Sequence, residues 1–245
     1  MNNKKFLKKL KNIIPIHIIP KFQYETDLLK WNKKQEKIFS KKIIQNNQNI
    51  KIKKNLKKSG IKKLYINCSF KNYHIEHEGH KKVLFLTKNY AKNFNNHISN
   101  FIFLGRPGTG KNHLATAIGK YLILKGKRVF ITTISNLMLK IKSTFNNQDK
   151  KNTEEKFINY LSTIDLLIFD EIGIQTQSKY EKIIINQIVD RRYSSKKSTG
   201  MLSNLNFYEI KTILGERIID RIKFGNSLCL NFNWNSYRNK NQIKL

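Results

Sequence analysis

The chain has 245 residues, 39% hydrophobic, with a mean hydropathy of −0.54, so it can bury one large core. No stretch approaches the length of a membrane span. Its two cysteines, Cys68 and Cys229, are far apart and lack CxxC spacing, which excludes a disulfide framework and a zinc site and fits a reducing cytoplasm. The formal net charge is +32, but 41 of the 48 basic residues are Lys and only seven are Arg. A chain so rich in Lys, Asn and Ile carries much of that charge as composition, so the charge alone points only weakly to polyanion binding. The seven arginines all fall at or after residue 106, where a planar, bidentate donor has a specific use.

Residues 1–58 hold 17 Lys against three acidic residues and no Gly. Lys4, Lys5, Lys8 and Lys9 precede a short apolar run, as in a signal peptide, yet Pro15 and His17 interrupt it and no small-residue cleavage site follows. The expectation is a soluble, cytoplasmic protein. Phe6, Leu10, Ile13 and Ile14 recur at helical spacing, and Thr26 can cap a second helix carrying Leu28, Trp31, Ile38, Phe39 and Ile43. Such thin stripes bury little against each other. They either pack on the main domain or form a partner-docking module, and the latter is favoured, with Leu10, Leu28 and Trp31 as contacts. Residues 57–60 read as the linker, giving domains 1–58 and 59–245.

Between Gly60 and Asn100 an extended piece at Cys68–Tyr73 precedes a helix with Val83, Leu84, Leu86, Tyr90 and Phe94. His74, His77 and His80 match no closed zinc spacing, and Gly79 would break a helix aligning them, so a solvated loop is expected there. From Phe101 strands alternate with helices: strands at 101–104, 129–132, 166–169, 200–204 and 228–232, with helices between. Apolar strands buried on both faces and separated by helices predict a mainly parallel, doubly wound α/β sheet.

The run Phe101–Leu104 feeds Gly105-Arg106-Pro107-Gly108-Thr109-Gly110-Lys111-Asn112, the Gly-x4-Gly-Lys phosphate loop with Asn112 where Ser or Thr is usual. Its backbone N–H groups and the following helix N-terminus suit phosphate oxygens, with Lys111 reaching the β and γ phosphates. Asp170 and Glu171 end an apolar strand, where ligands bind in open α/β sheets; Asp170 would serve Mg²⁺ and Glu171 the attacking water. Asn204, at the end of a further strand, either approaches the γ-phosphate or caps the next helix. Arg217 and Arg221 lie four apart on one helical face. They make surface salt bridges with Glu216 and Asp220, or one of them, Arg221 by preference, is an arginine finger offered to a neighbouring subunit.

These elements resemble the AAA+ ATPases, and within them the bacterial replicative-helicase loaders, a clade shared with transposon-encoded ATPases. The resemblance is carried by Gly105–His113, Asp170–Gly173, Ser178–Lys182, Asn186–Arg192, Gly215–Arg221, Asn231–Trp234 and Ser236–Arg238, and extends to Lys30-Trp31 and Cys68–Phe70. It implies a P-loop core preceded by a small helical segment; in departure from the general AAA+ pattern, the 13 residues after Phe232 are too few for a C-terminal helical lid, so none is expected. It implies ATP and Mg²⁺ as cofactors, with Gly105–His113 holding ATP, Asp170 and Asn112 the metal, Glu171 the water, Asn204 as first sensor, and Arg217 and Arg221 as the intersubunit element. It also implies a hexameric replicative helicase gripped by the N-terminal segment, self-association through the ATPase domains, and single-stranded DNA. Lys142, Phe145, Lys179 and Tyr180 combine the chemistry that single strands need. Asn112 in place of a hydroxyl points to a slow, switch-like ATPase. The competing expectations are a transposition-type ATPase of the same clade and a non-enzymatic basic DNA-binding protein.

Overall fold

The computed structural model describes residues 25–94, 98–143, 150–173 and 178–237. Leu10 with the expected first helix, Phe145, Arg238 and the side chain of Leu28 lie outside the described residues. The chain divides into two compact units, Met1–Asn49 and Ile50–Leu245. In the first, helix α1 (Glu25–Lys58) leaves Leu29, Ile38, Phe39, Ile43 and Ile44 exposed, with Trp31 half-buried. The division falls at 49/50 and not at the expected 58/59. The last turns of α1 carry Ile52 and Leu56, which pack against the apolar core of the second unit.

That core surrounds a sheet of β1 (Phe101–Gly105), β2 (Val129–Thr133), β3 (Leu166–Ile172), β4 (Ser198–Ser203) and β5 (Leu228–Phe232). The strand order is β2-β3-β4-β1-β5, and every pairing is parallel. Side chains alternate across it with the period of two that a pleated strand imposes. Phe101 and Phe103 join Ile168, Leu202 and Phe232 on one face, covered by α2 (Glu78–Lys92) and α3 (Lys111–Leu124). Ile102 and Leu104 join Leu167, Phe169 and Met201 on the other. There α4 (Ile134–Ser143), α5 (Lys150–Thr163), α6 (Lys179–Ser194), α7 (Phe207–Leu214) and α8 (Glu216–Lys223) complete the layer. Burying both faces of a parallel sheet is what the continuous apolar strands required. No described helix is long and apolar enough to cross a membrane.

Three local expectations change. Cys68–Tyr73 is a bent loop, not an extended piece, because the Asn72 side chain accepts from the Ser69 amide (2.8 Å) and donates to the Asn67 carbonyl (2.9 Å). Gly79 does not break a helix: it is the second residue of α2, and its N–H donates to the His77 Nδ1 cap at 3.0 Å. Of the three histidines expected in a solvated loop, His74 and His77 are exposed and precede the helix, and only His80 differs. His80 is buried and stacks on His77, with ring centroids 4.0 Å apart.

Candidate nucleotide site

β1 delivers its carboxyl end into the glycine-rich turn, and α3 begins at Lys111. Gly108 and Gly110 adopt φ of 77° and 97°, a region that other residues rarely enter. Side chains also crowd the loop from both sides. A Cβ on Gly108 would lie 1.9 Å from Ser236 Oγ, and one on Gly110 would lie 2.8 Å from the Tyr73 ring. Thr109 Oγ1 donates to the Arg106 carbonyl at 2.7 Å, tightening the turn. Lys111 folds over the same turn, its Nζ donating to the carbonyls of Gly105 and Arg106 at 2.5 and 2.7 Å. Phosphate oxygens would take over as its acceptors.

The segment after β5 returns to this loop. Trp234 Nε1 donates to the Thr109 carbonyl (2.9 Å), and the Tyr237 amide donates to the Gly108 carbonyl (3.0 Å). The Trp234 ring meets His80 edge-on at 4.5 Å, and Tyr73 lies 5.8 Å from His80 and 5.4 Å from His113. The histidines are thus part of an aromatic wall beside the phosphate loop. Among the described residues, no group of three or more His, Cys, Asp or Glu could hold a metal ion.

β3 does not stop at Phe169 but runs through the acidic pair to Ile172, with a break in its register with β4 between Phe169 and Ile172. Such irregularities re-aim side chains at sheet rims. Glu171 accordingly takes φ of 59°, strained for a non-glycine residue, and is exposed. Asp170 is buried. Its Oδ1 accepts from the Glu171 amide and its Oδ2 from Asn112 Nδ2, both at 2.8 Å. Burial, and then the neighbouring Glu171 charge, raise the Asp170 carboxyl above the ordinary carboxylate range. Mg²⁺ keeps several waters and takes one or two protein oxygens beside phosphate, so one buried carboxylate here fits it.

A cavity of about 420 Å³ brings residues 107–113 together with Asp170, Glu171 and Asn204. Asn204 does not cap the helix after β4. That role falls to Asn206, whose side chain accepts from the Glu209 amide (2.9 Å), while Glu209 accepts in return from the Asn206 amide (2.7 Å). Arg217 and Arg221 do not line this cavity, and they pair with neither Glu216 nor Asp220. Both reach Asp190 on α6: Arg217 at 3.1 Å, and Arg221 through the other carboxylate oxygen. Arg221 is the inner residue, its side chain 20% exposed beside the Tyr193 ring, whereas Arg217 is 72% exposed. Lys142 and Lys179 are exposed on α4 and α6, and the Tyr180 hydroxyl donates to Glu154 at 3.1 Å; none of the three lines the cavity. Sequence reasoning did not single out Tyr73, Trp234 or Tyr237 as cavity walls, nor Asp190 as the arginines' partner. Trp234 and Tyr237 could have been found only through the motif at 231–238.

A strand–phosphate loop–helix unit, with an acidic pair near the carboxyl end of β3 and an Asn just after the intervening parallel strand β4, defines a P-loop ATPase of the AAA+ type. The chain belongs to the family described as IstB-like ATP binding protein, whose model matches residues 81–245. It is 59% identical to the replicative helicase loader DnaC of Buchnera aphidicola subsp. Baizongia pistaciae (strain Bp), covering 98% of this chain and 97% of that protein. It is 48% identical to the replicative helicase loader DnaC of Escherichia coli (strain K12), over 96% of this chain and 95% of the other. Among solved structures, a crystal structure of the DnaC helicase loader superposes with a TM-score of 0.61 at 24% identity, covering 69% of this chain and 99% of that one.

Proposed function

We propose that this chain is an ATP-dependent loader of the hexameric replicative helicase, with an ATPase that works slowly, as a switch. The likeness to replicative helicase loaders along nearly the whole chain supports the loader reading. The observation that carries the switch reading is the 2.8 Å bond from Asn112 Nδ2 to Asp170 Oδ2. Where a hydroxyl would be free to ligate a metal, Asn112 turns its amide nitrogen to the carboxylate. It orients Asp170 through Nδ2, so its Oδ1, fixed in the plane of the same amide, is less freely placed for Mg²⁺ than a hydroxyl would be.

Bound ATP and Mg²⁺ supply a transferable phosphoryl group and neutralise its charge. Lys111 trades the loop carbonyls for phosphate oxygens, and Asp170 holds the metal. Glu171 accepts the proton of the attacking water, and Asn204 donates its amide to the developing negative charge. Arg221, supported by Arg217, reaches a neighbouring subunit's nucleotide once the ATPase domains assemble side by side, giving up Asp190 to do so. Lys142, Phe145, Lys179 and Tyr180 engage single-stranded DNA, and the N-terminal segment to residue 58, through Leu10, Leu28 and Trp31, grips the helicase. The protein works in the cytoplasm.

A pull-down with the replicative helicase, with and without ATP and single-stranded DNA, tests the reading. Replacing Leu10, Leu28 and Trp31 together by Ala should abolish helicase capture while leaving ATP affinity unchanged. Undiminished capture by that variant would reject the docking assignment.

A further inference from the structure

The second unit holds another cavity, of about 370 Å³, on the far side of the Asn112–Asp170 pair. Tyr65, Asn112 and Asp170 line both cavities and so form a shared wall. The walls of this second cavity are firmly built. The segment after α1 closes the free edge of β2, with the Ile131 amide donating to the Ser59 carbonyl at 2.8 Å. Gly60 passes so close that a Cβ there would lie 2.3 Å from the Ile131 carbonyl oxygen. Thr133 Oγ1 caps the start of α4 by accepting from the Asn136 amide at 3.2 Å.

The lining is divided by chemistry. Ala115, Phe130, Ile131 and Leu139 supply an apolar floor, and Lys62 and Lys140 supply positive charge. Lys140 Nζ stands 4.9 Å from the centre of the Phe130 ring, so a cation and an aromatic surface meet in one place. The lining contains one carboxylate, Asp170, and both of its oxygens already accept hydrogen bonds from within the chain. A flat apolar body with one anionic group matches this division, and the size lies within the range of small-ligand sites. Of the phosphate loop and the acidic pair, only Asn112 and Asp170 reach its wall.

We propose that the cavity is a second nucleotide site, taking one nucleotide unit with its base against Phe130, Ile131 and Leu139 and its phosphate at Lys62 and Lys140. The assignment stands independently of the loader reading. The unit is either a free mononucleotide or one nucleotide of a single strand, since both present the same base and phosphate. Because the two cavities share a wall, linkage makes any effect of one occupant on the other's affinity reciprocal.

The test uses the full chain with its phosphate loop saturated by ADP and Mg²⁺, titrated calorimetrically with dTMP, with inorganic phosphate and with a ten-residue oligo(dT). Leu139→Trp places an indole across the mouth, and Lys140→Glu reverses a charge; both positions are exposed, so neither variant endangers folding. We expect saturable dTMP binding that weakens at least tenfold in each variant, with inorganic phosphate at least tenfold weaker than dTMP. Oligo(dT) binding that drops in Leu139→Trp while dTMP fails to bind supports the site with a strand as its source. Binding of neither ligand, binding indifferent to Leu139→Trp, or phosphate binding as well as dTMP overturns the proposal.

Discussion

The two ends of the parallel sheet are both rich in polar groups, but the groups are used in opposite ways. At the amino ends of the strands every named group is answered within the chain. Arg192, with no exposed surface, donates to Thr199 Oγ1 (3.0 Å) and to the carbonyls of Leu161 (2.5 Å), Ile164 (3.0 Å) and Ser198. Burial pulls its guanidinium down to about 9, still charged at neutral pH. Asn100, just before β1, accepts from the Thr199 amide at 2.8 Å and donates to the Arg221 carbonyl at 3.2 Å. Asp165, just before β3, accepts from the Arg128 amide (2.8 Å) and from Lys197 (3.1 Å). At the carboxyl ends, the Lys111 ammonium and the Asp170 carboxylate bond to neighbours that a nucleotide can displace or join, and Glu171 and Asn204 are exposed. One rim holds the strands in place, and the other leaves bonding capacity for a ligand. The same residue types therefore predict stability at one end and chemistry at the other.

The sharpest way to break this comparison is Arg192→Leu. It leaves three carbonyls and a hydroxyl without their donor, at a cost of about 3–5 kcal/mol. The melting temperature should fall by roughly 10–15 °C, read by circular dichroism, while ATP affinity of the folded protein stays within about twofold. Glu171→Gln should do the reverse. Steady-state turnover should drop by about 10²–10⁴, with a melting shift near zero. A large loss of stability in that variant would contradict the division between the rims.

Two carboxylates at opposite ends give smaller effects of opposite sign. Burial alone would raise the Asp165 carboxyl, but the Arg128 amide and Lys197 outweigh it and hold it below its ordinary value. Its contribution is therefore present above the unfolded carboxylate value and lost as pH falls through the depressed one. Asp165→Asn should cost about 1–2 kcal/mol at pH 7 by urea titration, a gap that narrows in strong acid. For Asp170 the folded value is raised, so stability is greatest below the unfolded value and is lost as pH rises through the folded one. Asp170→Asn should then raise the melting temperature of the nucleotide-free protein at pH 7 by about 2–4 °C while abolishing Mg²⁺-dependent turnover.

Much of the carboxyl rim was legible from sequence because its cues are local. Gly105–Lys111 is a contiguous pattern, Asp170–Glu171 closes an apolar strand, and Asn204 needed only the adjacency of β3 and β4 that the structure has. The strand spans were recovered to within a residue or two, except that β3 runs on through its acidic pair, a rim irregularity with no sequence pattern of its own. The amino rim was almost invisible. Nothing near Arg192 announces that four oxygens converge on it from three elements, although the scarcity of arginine marked the position for attention. Asp190 escaped notice for a related reason: its partners on α8 come from a separate helix, so the pairing exists only after folding. The burial of His80 was missed because Gly79 was weighed as a helix breaker, whereas at a helix start its N–H is a ready partner for the His77 cap.

The two tryptophans fall one in each compact unit, Trp31 in the first and Trp234 in the second. Trp234 is tied through its indole N–H to the phosphate-loop carbonyl of Thr109 and lies edge-on to an imidazole. Its emission is therefore a built-in optical gauge of phosphate-loop geometry. With Trp31 changed to Phe, nucleotide arrival can be followed without a dye; with Trp234 changed to Phe, the remaining fluorophore reports on the amino-terminal helix alone.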